Sequence, residues 1–199
     1  MKTRIWYLLP LAIGAFALSC GQENTQAGSA QIAPQAVGSP IAVAAELAVT
    51  STPNENGWFT SWDDALAAAK TMNRPVIIDF YTDWCHWCTE MDEKTFSHPS
   101  IRQKFADNWV MLKVNAENAE TKGTYKGITL SYRELAQKFG VTGYPSYGFL
   151  DKAGEPVNII SGYREVPQFS MILDYFQQEI YKLDEAGQKK FMETHQTGT

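Results

Sequence analysis

Two cysteines two residues apart, in the run Trp84-Cys85-His86-Trp87-Cys88, are the side chains of this chain best suited to do chemistry. Thiols at that spacing open and close a disulfide without large backbone motion, which points to redox exchange. The run before them, Pro75-Val76-Ile77-Ile78-Asp79-Phe80-Tyr81, has the character of a strand, and the residues after them have helical spacing. Cys85 is therefore expected at a strand-to-helix turn, where unpaired N–H groups and the positive end of the helix dipole stabilise a thiolate. Two other uses of the pair stay open. One is an inert structural disulfide. The other is zinc ligation, which wants four ligands, whereas the sequence holds no second CxxC and no paired histidines.

The rest of the chain must supply the elements that hold this motif. At 199 residues and 44% hydrophobic content, it is long enough for one domain with a real core. The net charge is −5; without Lys2 and Arg4 it is 15 basic against 22 acidic residues, or −7. Nothing in that balance asks for nucleic acid.

Residues 1–19 read as an export signal, with a basic start at Lys2 and Arg4 and an apolar run from Ile5 to Leu18 that is too short to span a bilayer. Ala15-Phe16-Ala17 fits ordinary signal cleavage, while Ala17-Leu18-Ser19-Cys20 has the look of a bacterial lipoprotein box with its leucine one step late. Of three cysteines, only Cys20 falls outside the CxxC. Lipidation of Cys20 would remove a leftover thiol and anchor the protein on the periplasmic side of a bacterial membrane. Residues 20–56 are rich in Ala, Gln, Ser, Pro and Gly and read as a flexible tether with a reach on the order of 30–35 Å.

A packed domain is expected over 57–183 and a frayed, peripheral tail over 184–199. Ser61 should cap a helix to about Met72, with Ala65, Leu66, Ala69 and Met72 as its buried stripe. Val76 to Tyr81 reads as a central strand buried on both faces. A helix then runs to about Phe96, and His98-Pro99 opens another to about Asp107. Trp109 to Val114 reads as a strand and 116–130 as a surface loop. Ser131-Tyr132-Arg133-Glu134 forms a capping box for a helix to about Phe139. Ser146–Leu150 and Val157–Ser161 should pair as a hairpin, and 166–183 should be one helix with Phe169, Ile172, Leu173, Phe176, Ile180 and Leu183 on its apolar face. This order predicts an α/β fold, a mixed central sheet with helices on both faces. Trp58, Trp62 and Trp109 are assigned to packing rather than function.

The segment Val76 through Cys88 resembles the strand and active-site turn of the thioredoxin superfamily, and Val141-Thr142-Gly143-Tyr144-Pro145 is similar to the segment carrying that family's cis-proline. The resemblance covers roughly residues 58–183. Within the superfamily, Asp83-Trp84-Cys85 through Cys88, Glu93-Lys94-Thr95-Phe96-Ser97-His98-Pro99 and the long polar loop before Ser131 resemble the C-terminal periplasmic domain of the bacterial transmembrane thiol reductant transporter DsbD. This chain shows no transmembrane region of its own, so it is expected to be a separate partner or analogue of such a domain.

The resemblance implies roles. Cys85, the more exposed thiol in the family, would be the nucleophile and Cys88 the resolving thiol. Asp79 aligns with the family's buried acid and would take the proton of Cys88, with Lys113 as its neighbour. Pro145 would be cis, leaving the Tyr144 backbone to pair with an extended substrate segment. Trp84 and Trp87 would form an apolar docking rim. His86 would favour the Cys85 thiolate only as an imidazolium. The implied activity is reduction of protein disulfides by dithiol exchange, with no cofactor beyond the Cys85–Cys88 disulfide, no resident metal, and a membrane thiol transporter as electron donor. A thioredoxin-fold chaperone, or a copper(I) metallochaperone without turnover, is the alternative from another class. An oxidase or isomerase would differ from the reductase only in potential.

Overall fold

The computed structural model describes residues 49–196. The expected export signal, Cys20 and most of the expected tether therefore lie outside the described residues. Five strands form one sheet in the order β1-β3-β2-β6-β7. They are β1 (Trp58–Phe59), β2 (Val76–Tyr81), β3 (Val110–Asn115), β6 (Ser146–Leu150) and β7 (Pro156–Ser161). β1 and β2 run parallel to β3, whereas β6 is antiparallel to β2 and β7 to β6, so the expected mixed sheet and closing hairpin are present.

Alternation along β2 explains its central place. Val76, Ile78 and Phe80 enter a core with Trp62, Ala65, Leu112 and Leu135. Ile77 enters a second core with Met91, Phe105, Tyr147, Phe149, Phe169 and Leu173. Asp79 sits on the second side too, by the two-residue period of a strand.

Helix α1 (Trp62–Met72) is capped by Ser61, whose hydroxyl accepts from the Asp64 N–H, and it ends at Asn73 in the left-handed region. Its buried residues are Trp62, Asp64, Ala65 and Ala67 to Ala69, while Met72, expected inside, is exposed. α2 (His86–Glu90) continues as a π-helical turn (Met91–Phe96), which together fill the helix expected after the CxxC. α3 (Pro99–Asn108) is capped by the His98 ring, and α4 (Tyr132–Lys138) by the full Ser131–Glu134 capping box.

Four segments differ from expectation. The surface loop contains a two-stranded hairpin, β4 (Lys122–Tyr125) and β5 (Ile128–Ser131). It is fastened to α1: a Cβ on Gly123 would lie 2.4 Å from the Trp62 side chain, and the Trp62 indole N–H donates to the Thr124 carbonyl. The helix expected over 166–183 stops as α5 (Val166–Gln177); Glu179 adopts a left-handed conformation, and a 3-10 turn (Ile180–Lys182) follows. The tail expected to fray forms α6 (Glu185–Gln196), which seats Phe191 against Tyr175. At the other end, Thr50 and Ser51 of the expected tether are tied to Asp64 by hydrogen bonds. Among the described residues, no helix is long and apolar enough to cross a membrane.

Candidate active site

The strand β2 ends at Tyr81, and four residues later Cys85 becomes the N-cap of α2. Its sulfur accepts a hydrogen bond from the Cys88 N–H at 3.1 Å while bonded to the Cys88 sulfur as a disulfide. A cap must satisfy N–H groups that have no partner inside the helix, and here the atom doing so is a cysteine sulfur. The same dipole that favours the bond stabilises negative charge on that sulfur once the disulfide opens. Exposure does not separate the two thiols, at 6% for Cys85 and 5% for Cys88; position at the helix end does.

Asp79 is 2% exposed. It stands beside Lys113 in the parallel β2–β3 register, and Lys113 Nζ donates to Asp79 Oδ2 at 3.0 Å. The same ammonium donates to both oxygens of Asp92 at 2.7 and 2.8 Å. Asp92 follows Cys88 by four residues, hence on roughly the same helical face. Lys113 therefore joins the carboxylate in the sheet to the helix face that carries Cys88. Its ammonium also lies over the rings of Tyr81, Trp58 and Phe96, at 5.1, 5.3 and 5.9 Å. Asp92 and Lys113 line an open cleft of about 520 Å³, which brings solvent to this side of the cluster.

Burial pushes the Asp79 carboxyl up to about 6; Lys113 opposes that rise and Asp92 adds to it. For Lys113, burial works to lower the ammonium, but Asp79 and Asp92 outweigh it and hold it above its ordinary value. The cluster is thus a cation shared by two acids, one of them able to exchange a proton near neutrality. Asp79 Oδ1 has no hydrogen-bond partner.

The Tyr144–Pro145 peptide is cis. Its neighbourhood is fixed by Ser146, whose hydroxyl donates to the Gly143 carbonyl at 2.7 Å and pairs with the Ser161 hydroxyl at 2.7 Å. The Gly162 N–H donates to the Pro145 carbonyl at 2.8 Å. Trp84 meets the Tyr144 ring edge-on at 5.9 Å, and its indole N–H donates to Glu117 at 3.0 Å. Trp87 lies 5.4 Å from Tyr163 and 5.5 Å from His86. Both tryptophans, each adjoining a cysteine of the pair in sequence, are more than half exposed, at 67% and 54%.

The structure joins Cys85 to Cys88, pairs Asp79 with Lys113, sets Trp84 against Tyr144 and His86 against Trp87, and makes Pro145 the cis residue after Tyr144, while Cys20 lies outside the described residues. The structure adds residues that sequence reading missed. Asp92 was signalled only by its four-residue offset from Cys88. Glu117 lay within a polar loop. Tyr147 carried one signal, its place two residues beyond Pro145. Among the described residues, no three His, Cys, Asp or Glu side chains are grouped to hold a metal ion.

Residues 62–177 match the family described as a thioredoxin-like domain. A thiol:disulfide interchange protein DsbD from Ralstonia nicotianae is 35% identical over 102 residues, covering 49% of this chain and 15% of that protein. The DsbD of Salmonella paratyphi A is 35% identical over 112 residues, covering 54% of this chain and 17% of that protein. The chain thus spans about a sixth of the length of these curated relatives. Among solved structures, a thioredoxin-fold protein from Helicobacter pylori matches with a TM-score of 0.54 at 19% identity, covering 75% of this chain and 92% of the other.

Proposed function

The chain belongs to the thioredoxin-like domain family, and on that premise we propose that it is a thiol-disulfide oxidoreductase that reduces protein disulfides outside the cytoplasm. The observation that carries this reading is the Cys85 sulfur serving as the cap of α2 within a disulfide to Cys88, with a proton-accepting carboxyl at Asp79 on the same side of the sheet as the core beneath that helix.

In the dithiol form, the Cys85 thiolate attacks one sulfur of a substrate disulfide. The substrate S–S bond breaks, its second sulfur leaves as a thiolate and takes a proton from solvent, and a mixed disulfide joins Cys85 to the substrate. The Cys88 thiol then gives its proton to Asp79 and attacks the Cys85 sulfur. The substrate sulfur leaves as a second thiolate and takes a proton from solvent, two electrons have passed to the substrate, and Cys85–Cys88 is again oxidised. Lys113 stabilises the Asp79 carboxylate before this transfer, and Asp79 afterwards gives its proton up to solvent and regains the ion pair with Lys113. Trp84, Trp87 and Tyr144 offer ring faces to the chain around the substrate cysteine, and the Tyr144 backbone offers strand-like hydrogen bonds to it.

Recharging needs an outside dithiol. The relatives are named thiol:disulfide interchange proteins, which supports a membrane thiol transporter of that class as donor. Export, and acylation at Cys20, rest on the sequence of residues 1–20. A Cys88→Ser variant expressed in the native compartment tests the whole reading. It should retain a partner protein covalently bound through Cys85, released by dithiothreitol. Recovery of no mixed disulfide, while the wild type still reduces disulfides, would overturn the assigned roles.

A further inference from the structure

Tyr147 takes no part in the exchange steps above, yet it stands directly opposite Asp79 in the antiparallel pairing of β2 with β6. Side chains at such positions rise from the same face of the sheet, with Cβ atoms about 4.5–5.5 Å apart. The Tyr147 ring is fully buried and meets the rings of Phe96 and Phe169 at 5.8 and 5.2 Å. Its hydroxyl has no hydrogen-bond partner in the protein, and neither has Asp79 Oδ1. One is a donor, the other an acceptor, and they belong to facing residues. A buried polar atom without a partner carries the uncompensated cost of leaving water. Phenylalanine would fill the same aromatic cluster without that cost, so packing does not account for the hydroxyl.

We propose that Tyr147 is a positioning residue for Asp79: one internal water accepts from the Tyr147 hydroxyl and donates to Asp79 Oδ1, stabilising the ionised carboxylate from the side opposite Lys113. A single water between two such groups satisfies both and needs no more than the two to four polar partners usual for a buried water. Burial, reinforced by the charge of Asp79, pushes the Tyr147 phenol up, so it remains a neutral donor throughout the working range. The other groups facing Asp79 are Lys113 from β3, Asp92 from the π turn and Tyr81 from its own strand; Arg164 and Tyr163, from the segment after β7, act on Tyr147. Of these only Lys113 favours the carboxylate strongly, and it is shared with Asp92. The tyrosine keeps the Asp79 proton affinity from climbing further, and so keeps a base ready for Cys88 at neutral pH.

This inference rests on Asp79 being the acceptor for the Cys88 proton. The test is Tyr147→Phe in the full oxidised chain, with the Asp79 carboxyl carbon followed by NMR from pH 4 to 9 and identified by its loss in Asp79→Asn. The variant should titrate about one unit higher than wild type. Resolution of a Cys85 mixed disulfide should then fall about tenfold at pH 5 and about twofold at pH 7, as follows from the smaller ionised fraction. In the wild type, a water cross-peak to the Tyr147 ring protons should be present, a readout that does not depend on the variant folding. An unmoved midpoint in a folded Tyr147→Phe, or no water cross-peak in the wild type, overturns the inference and leaves the role of Asp79 intact. Wild-type resolution by Asp79→Asn removes the role of Asp79 and this inference with it.

Discussion

Asp64 and Asp79 are both nearly buried, at 6% and 2% exposed, and the fold treats them in opposite ways. Asp64, in the first turn of α1, accepts from the Ser51 hydroxyl, from the Thr50 N–H and hydroxyl, and bonds through its own N–H to Ser61. Those bonds, led by Ser51, hold its carboxyl well below the usual carboxylate range. Asp79 has one ion pair, to a lysine shared with Asp92, and its other oxygen receives no hydrogen bond from the protein. Its carboxyl is pushed up to about 6, first of all by burial. A saturated carboxylate is a fastener, because protonating it breaks bonds that the fold needs. One held by the protein through a single shared ion pair can take a proton and lose little, which is the property that exchange at Cys88 requires.

Four changes would break or sharpen that contrast. The largest effect is expected for Cys85→Ser, which removes the nucleophile. Insulin-disulfide reduction should fall at least about a thousandfold, while the thermal unfolding midpoint stays close to that of the reduced wild type. Asp79→Asn comes next: reduction at pH 7 should slow by about a hundredfold, as for loss of a general base. The same substitution should raise stability at pH 7 by as much as about 3 kcal/mol, because a carboxyl moved from 3.8 to about 6 is ionised there at the expense of the fold. A loss of stability would place Asp79 with the fasteners.

The third is the pH dependence of urea unfolding. A raised folded-state value means that the folded protein holds the proton more tightly, so the Asp79 contribution improves as pH falls from about 6 to about 4 and is level below that. Asp64 has the reverse sign: its contribution is complete above the unfolded value and is lost as pH falls through its lowered folded value. Subtracting the Asp79→Asn curve from wild type should isolate the first trend, and a flat difference would contradict it. The smallest effect belongs to Asp64→Asn, which should lower the unfolding midpoint by a few degrees and leave the rate of reduction within about twofold of wild type.

The two acids were unequally legible in the sequence. Asp79 is legible through the resemblance, which aligns it with the buried acid of the thioredoxin superfamily. Asp64 stands next to Asp63 at the start of a helix, where acids are ordinary complements to the dipole; its partners at Thr50 and Ser51 lie in a segment whose composition looks unstructured. Asp92 was hidden by Glu93 and Lys94, which read as a solvated helical face, and Tyr147 by Ser146 to Leu150, which read simply as a core strand. Long apolar patterns and caps placed α1, β2, β3, α4, β6 and β7 to within a residue or two. The β4–β5 hairpin was not visible because its strands have four residues each and its tightest contact is made by a missing side chain, Gly123 against Trp62. The end of α5 is not legible in the sequence because a left-handed Glu179 ends it without a glycine or proline to announce it.

The central claim is that Asp79 receives the Cys88 proton during release of substrate from Cys85. The most direct measurement is single-turnover resolution of a preformed mixed disulfide on Cys85, followed by stopped flow from pH 5 to 8 in wild type and Asp79→Asn. The wild-type rate should rise through a midpoint near pH 6, and the variant should lose that limb and be slower throughout. Superimposable profiles from the two proteins would contradict the account.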